Sequence, residues 1–173
     1  MVKRRALIAG VMAVPARASG LADFTLARLE GGPLPLGEFA GRALLIVNTA
    51  SFCGYTPQYN GLQRLHDRFE ARGLTVLGVP SNDFQQESTS NQAIREFCDG
   101  MFGITFPMAA LSHVRGPQAL PLFHWLAREA GGPPRWNFHK YLVTRDGLRA
   151  RGFATQVEPG SREMLRAVEA VLA

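Results

Sequence analysis

Two continuous apolar runs, residues 44–50 and 74–79, bracket an amphipathic stretch at 57–72, and this pattern narrows the fold more than any other part of the chain. Runs that are apolar without alternation suit strands buried on both faces, as in a parallel sheet. Between them Tyr59, Leu62, Leu65, His66 and Phe69 recur at 3, 4 and 7 spacing and predict the inner face of a helix. Thr56-Pro57 supplies its start, a hydroxyl to cap it and proline at the first position, and Gly73 supplies its end. Strand, helix and strand in this order make a βαβ unit with two parallel neighbours. Ligands of such units gather beyond the carboxyl ends of the strands. The loops after the two strands, residues 51–56 and 80–87, therefore meet at one edge of the sheet.

The flanking segments fill out a single domain, residues 19–173. A first strand is expected at 23–29, a turn at Gly31-Gly32-Pro33 and a short edge segment at 34–39. A helix at 90–102 is capped by Ser90 and carries Ile94, Phe97, Cys98 and Met101 at helical spacing. A short strand is expected at 105–109 and a helix at 121–130. Segments 140–144 and 148–153 flank Asp146-Gly147, a hairpin signal. An amphipathic helix at 161–172 closes the chain. The fold class is α/β, with a mixed central sheet that is parallel at its centre and antiparallel at the terminal hairpin.

Cys53 lies in the loop between the first confident strand and its helix. A sulfur there is close to backbone N–H groups and to the positive end of a helix dipole, and both favour thiolate over thiol. A thiolate that attacks an oxidant also needs donors to hold the leaving oxygen and a route back to the reduced state. Amide donors are available in the loop Ser81-Asn82-Asp83-Phe84-Gln85-Gln86-Glu87. Trp136, an N–H donor only, and the amide of Asn137 enter later in the sequence. Taken singly, Gln86 reads as a solvated loop residue, Trp136 as core and Asn137 as a turn residue.

The formal charge of +5 does not point to nucleic acid. Four of the 19 Lys and Arg (Lys3, Arg4, Arg5 and Arg17) fall in the first 18 residues, which leaves 15 against 14 Asp and Glu. That N-terminus has a charged start, a short apolar run at 6–16 and Ala16-Arg17-Ala18, an A-x-A-like cleavage site. It reads as a signal peptide over 1–18, with export to a periplasm or outside the cell; if it is not a signal, the protein is cytoplasmic. The run is too short for a membrane span, so no stable membrane insertion is expected. His66, His113, His124 and His139 are dispersed without metal-ligand spacing, so no metal and no cofactor is expected.

Four segments resemble the glutathione peroxidase family in its order and spacing. They are N-T-A-S-F-C-G-Y-T-P-Q-Y at 48–59, L-G-V-P-S-N-D-F at 77–84, T-F-P-M at 105–108 and W-N-F-H-K-Y-L-V at 136–143. The resemblance covers residues 21–172. It implies a thioredoxin-like fold and reduction of hydrogen peroxide and organic hydroperoxides, with Cys53 as the reactive residue. It also implies a supporting tetrad of Cys53 with Gln86, Trp136 and Asn137.

The chain departs from the family pattern in three places. The loop after Phe84 lacks the usual glycine and one residue, so Gln85 and Gln86 compete for one position. Ser81 stands where the family often has a cysteine, and Phe52 where it often has a lysine. Cys98 matches the resolving cysteine of the two-cysteine branch, which a thioredoxin-type protein reduces; glutathione is the other candidate reductant. The short segment between Ala127 and Trp136 resembles the monomeric members. A cysteine in the middle of a helix is not expected within disulfide reach of Cys53 without movement, so turnover requires the helix at 90–102 to unwind in part. Two other readings remain. One is a thiol–disulfide oxidoreductase built on Cys53-Gly54-Tyr55-Thr56, and the other is a non-catalytic binding or metal-carrier protein.

Overall fold

A computed structural model describes residues 20–173; the expected signal segment and its cleavage site lie outside the described residues. The βαβ unit is present, and two short strands precede it. These are β1 (Thr25–Ala27) and β2 (Pro33–Pro35), which pair antiparallel across the Gly31-Gly32 turn. The unit itself consists of β3 (Ala43–Thr49), α1 (Gln58–Phe69) and β4 (Leu74–Pro80). Every residue of β3 and β4 is buried, which is why neither alternates in sequence. The two pair in parallel, Leu45 opposite Val76 and Val47 opposite Gly78. The helix α1 buries all five residues of its expected inner face, and Gly73 ends the turn that follows it at a φ of +100°.

The remaining elements are α2 (Asn91–Phe102), α3 (Pro121–Ala130), β5 (Lys140–Val143), β6 (Ala150–Phe153) and α4 (Arg162–Leu172). The four-stranded sheet has the order β4-β3-β5-β6, antiparallel everywhere except between β3 and β4. Successive side chains of β3 point to opposite faces and feed two cores. Leu45 and Val47 join Tyr59, Leu62 and Phe69 of α1 with Met164 and Val168 of α4. Leu44 and Ile46 join Leu122, Phe123 and Leu126 of α3 with Leu26, Leu34 and Leu36 from the N-terminal segment.

Three expectations change. The first strand is shorter than residues 23–29, because a 3-10 turn occupies Leu21–Asp23; a second such turn, Leu36–Phe39, replaces most of the edge segment. Residues 105–109 make no strand. Met108 forms one parallel bridge to Gly78 and Ala109 one antiparallel bridge to Arg28, so the segment covers the outer side of β4 without laddering along it. Met101 is not on an inner face: it is 68% exposed, and α2 buries only Ile94 and Cys98.

The cover on β4 depends on a missing side chain. A Cβ at Gly78 would collide with Met108 Sδ and lie 2.9 Å from its methyl carbon. Gly78→Ala is therefore expected to destabilise the protein by about 1–3 kcal/mol through overpacking. Urea unfolding measures this as a lower midpoint at unchanged slope.

Candidate active site

The loop from β3 to α1 is folded back on itself by Thr56. Its hydroxyl accepts from the Cys53 N–H at 3.0 Å and donates to the Ala50 carbonyl at 2.9 Å. Thr56 therefore ties the cysteine turn and does not cap α1, whose N-cap is Pro57 with no side-chain bond. The first amides of the helix are also occupied, Gln58 N–H by the Tyr55 carbonyl and Tyr59 N–H by that of Thr56. What reaches the sulfur is the N–H of Tyr55, 3.4 Å from Cys53 Sγ. A local turn amide takes the place expected for the helix end. Cys53 is 8% exposed, and both cysteines are free thiols.

The loop after β4 lies against this turn. The Phe52 N–H donates to the Gln86 carbonyl at 3.0 Å, and the Gln86 side-chain oxygen accepts from Asn137 Nδ2 at 2.9 Å. Gln86 thus joins the cysteine turn to the 136–138 segment through one residue. Gln85 is exposed and sits at a φ of +59°. It occupies the left-handed corner that a glycine adopts without steric cost, which lets the shortened loop close and turns Gln86 inward. The next residue, Glu87, is buried. Burial holds its carboxyl above the usual range, and it faces Ser51 while accepting from the Ser88 N–H at 2.8 Å.

The third segment is anchored by Asn48, at the carboxyl end of β3. Asn48 Nδ2 donates to the Trp136 carbonyl at 3.0 Å, and the Asn48 carbonyl accepts from the Phe138 N–H at 2.7 Å. Asn137 is fully buried. Trp136 is 41% exposed, its ring 5.2 Å from that of Phe84, and the Arg115 guanidinium covers the same Phe84 ring at 5.1 Å. Cys53, Gln86, Trp136 and Asn137 are therefore carried by three loops linked directly to one another, which the sequence could place only at a common sheet edge. The sequence gives no role to Asn48 and Glu87, and to Thr56 only that of a helix cap. The signal for Asn48 was an amide residue closing an otherwise apolar run.

Cys98 is buried in α2 with the Tyr59 hydroxyl beside its thiol. Burial pushes that thiol up to about 11, Glu87 and Asp99 add to the effect, and Tyr59 opposes it. On the rim the exposed Phe52 ring stands 6.2 Å from Phe97 of α2. No group of three or more His, Cys, Asp and Glu among the described residues is arranged to hold a metal. His66 lies buried in α1 and His113 binds Asp83 at 2.6 Å; His139 stacks near Tyr141, where burial, with Lys140 and Arg135, lowers it to about 4.

Residues 21–127 match the family model described as glutathione peroxidase. A hydroperoxy fatty acid reductase of Synechocystis is 44% identical over 147 residues, which span 79% of this chain and 87% of the relative. A glutathione peroxidase-like peroxiredoxin of Chlamydomonas reinhardtii is 42% identical over 138 residues, 77% of this chain and 85% of the relative. The crystal structure of T. cruzi GPX1 superposes with a TM-score of 0.69 at 27% identity, over 88% of this chain and 96% of that one. A thiol:disulfide interchange protein of the thioredoxin family from Chlorobium tepidum superposes at 0.66 with 17% identity, over 92% of this chain and all of that one; it shares the thioredoxin-like fold.

The state of Cys98 has a measurable consequence. A thiol at about 11 carries roughly a hundredfold less thiolate at pH 8 than one at the ordinary value near 9. In the reduced, folded protein Cys98 is expected to alkylate at least that much more slowly than in the urea-unfolded chain. Timed iodoacetamide labelling with peptide mass analysis checks it.

Proposed function

The chain belongs to the glutathione peroxidase family and is a thiol peroxidase, and from that premise we propose that Cys53 is the thiol that attacks peroxide, with Gln86, Trp136 and Asn137 as its supporting donors. The observation that carries the assignment is the pair of hydrogen bonds that Gln86 accepts, by its backbone carbonyl from the Phe52 N–H and by its side-chain oxygen from Asn137. The Cys53 thiolate attacks one peroxide oxygen; an S–O bond forms, the O–O bond breaks, and water or an alcohol leaves with a proton. In this reading the Tyr55 N–H at the sulfur and the neutral side-chain donors of the tetrad stabilise the thiolate and the departing oxygen without taking the proton needed by the leaving group. The exposed faces of Trp136 and Phe52 leave the rim open to bulky organic hydroperoxides as well as hydrogen peroxide. A relative that is named for fatty acid hydroperoxides agrees with this breadth.

Recovery runs through Cys98. Its thiol condenses with the Cys53 sulfenic acid, forming the S–S bond and releasing water. A thioredoxin-type dithiol then reopens the disulfide by exchange and is itself oxidised. The packed thiol of Cys98, protonated and covered, is unsuited to attack where it sits. The helix that carries it is lightly held, since α2 buries two side chains where α1 buries six. Such an element opens at low cost, and partial unwinding of α2 brings the two sulfurs together. The protein acts as a monomer in this reading, and no helix among its described residues is long and apolar enough to cross a membrane.

The thiol–disulfide oxidoreductase reading is weaker on one point. Thr56, in the place of a second cysteine, is committed to the turn by two hydrogen bonds, and Gln86 and Asn137 have no task in that chemistry. The test is peroxide-dependent oxidation of thioredoxin. Cys53→Ser is expected to abolish it. Cys98→Ser is expected to abolish steady-state turnover while one equivalent of peroxide is still consumed. Turnover with glutathione regardless of Cys98 would return Cys98 to a helix residue. Failure of Cys53 to react with peroxide would sink the assignment.

The N-terminal segment is proposed to direct export, on the charged start and small-residue cleavage site of residues 1–18. Expression with this leader in a bacterial host is expected to yield a periplasmic chain beginning at Ser19, as read by intact mass; a cytoplasmic chain that keeps Met1–Ala18 would reject it.

A further inference from the structure

We propose that Lys140 is a positioning residue for the peroxidase reaction, whose buried ammonium holds the 136–138 turn in the conformation that presents Asn137 to Gln86. Lys140 is fully buried in β5, yet it makes no ion pair with any carboxylate among the described residues. Its Nζ donates instead to two carbonyls, that of Phe138 at 2.7 Å and that of Thr155 at 3.3 Å. Burying an ammonium in this way is costly, and apolar side chains of similar volume fill a core without that cost. The position must therefore use what an ammonium alone provides, a charge-assisted bond to a backbone oxygen.

The oxygen it holds belongs to a strained residue. Phe138 lies at a φ of +61°, one of two non-glycine residues at positive φ among those described; the other is Gln85 in the facing loop. A bulky residue in the left-handed region persists where its surroundings fix it from several sides. Here the three successive carbonyls of the turn are each held by a different element. Trp136 O accepts from Asn48 of β3, Asn137 O from the Thr155 hydroxyl at 2.7 Å, and Phe138 O from Lys140 of β5. With its carbonyl and its neighbours fixed, Asn137 has its side chain aimed at Gln86, 2.9 Å away. Thr155 is held in turn by Gln58 of α1, whose Nε2 donates to the Thr155 carbonyl at 2.8 Å and reaches Glu158 at 3.3 Å.

The charge that does this can be removed by pH. Burial lowers Lys140 to about 8, with Glu158 on the segment after β6 opposing that shift. The ammonium is thus present at pH 7 and lost as pH rises through 8, leaving a neutral amine that donates more weakly. Neither His139 nor Tyr59 changes its charge in this window. His139, beside it on the chain, is neutral above about 4, and Tyr59 of α1, edge-on to Phe138, is raised well above the ordinary tyrosine range by burial.

The inference rests on the role given above to Asn137, and the experiment separates the two. The second-order rate constant for peroxide is measured on pre-reduced protein from pH 6 to 9.5 for wild type, Lys140→Met, Thr155→Val and Asn137→Ala. Lys140→Met is expected to be slower than wild type by about tenfold at pH 7, a ratio that shrinks to two- or threefold by pH 9.5 as wild type loses its own charge. Thr155→Val is expected to be slower by a factor that does not change with pH. A pH-independent ratio for Lys140→Met overturns the clamp. An unaltered rate in Asn137→Ala overturns the role of Asn137 and with it the catalytic meaning of the clamp. Should Lys140→Met not fold, wild type labelled at lysine Nζ and at side-chain amides gives the answer by NMR. The Asn137 amide is expected to shift along the Lys140 titration near pH 8; an Asn137 signal indifferent to that titration overturns the proposal.

Discussion

The candidate site depends on one residue at the end of one strand. Asn48 and Thr49 are the buried polar residues that end β3, and β3 is an inner strand of the sheet, between β4 and β5. Through its carbonyl and its amide Asn48 holds the segment that carries Trp136 and Asn137. Because β3 runs parallel to β4 and antiparallel to β5, its carboxyl end faces the carboxyl end of β4 and the amino end of β5. The three loops of the site leave or enter at that one corner. A sheet with any other pairing around β3 would bring the same residues to opposite edges, so topology here is a precondition of the chemistry.

Much of this was readable because burial writes itself into composition. Strands covered on both faces are built mainly of apolar residues, so residues 44–50 and 74–79 stand out, and the five inward residues of α1 recur at helical spacing. Other features left no such trace. Thr-Pro has one signature whether the threonine hydroxyl caps the helix or turns back to the cysteine, and here it turns back. Counting residues could not separate Gln85 from Gln86, because the missing residue is absorbed by a left-handed corner at Gln85 that no propensity favours. Residues 105–109 are apolar enough for a strand but make single bridges, with Met108 seated over the bare Cα of Gly78.

The two cysteines show how differently one fold can treat the same side chain. Cys53 lies in a turn closed by polar contacts, a hydroxyl on its N–H and an amide on its sulfur. Cys98 lies among aromatic and aliphatic neighbours, where burial suppresses ionisation. A thiol kept neutral in the core is protected from stray oxidants until a partner sulfur is ready for it. The polar residues Tyr59 and Glu87 stand between these environments, each raised from its ordinary ionisation by burial. The fold therefore keeps two thiols in unlike surroundings, one in a polar turn and one in an apolar core.

The bridge of Met108 to β4 bears on a different property. In the order β4-β3-β5-β6, β4 is an edge strand, seven residues long and wholly apolar apart from Thr75. An uncovered strand of this composition is a template for pairing with a second chain and for fibril growth. The segment that shields it is joined to the C-terminal end of α2 by Gly103 and Ile104. Any loosening of α2 is transmitted to the shield, so an oxidised population held with α2 open would be the aggregation-prone one. Slow supply of reductant would then threaten solubility before it threatened the sulfur.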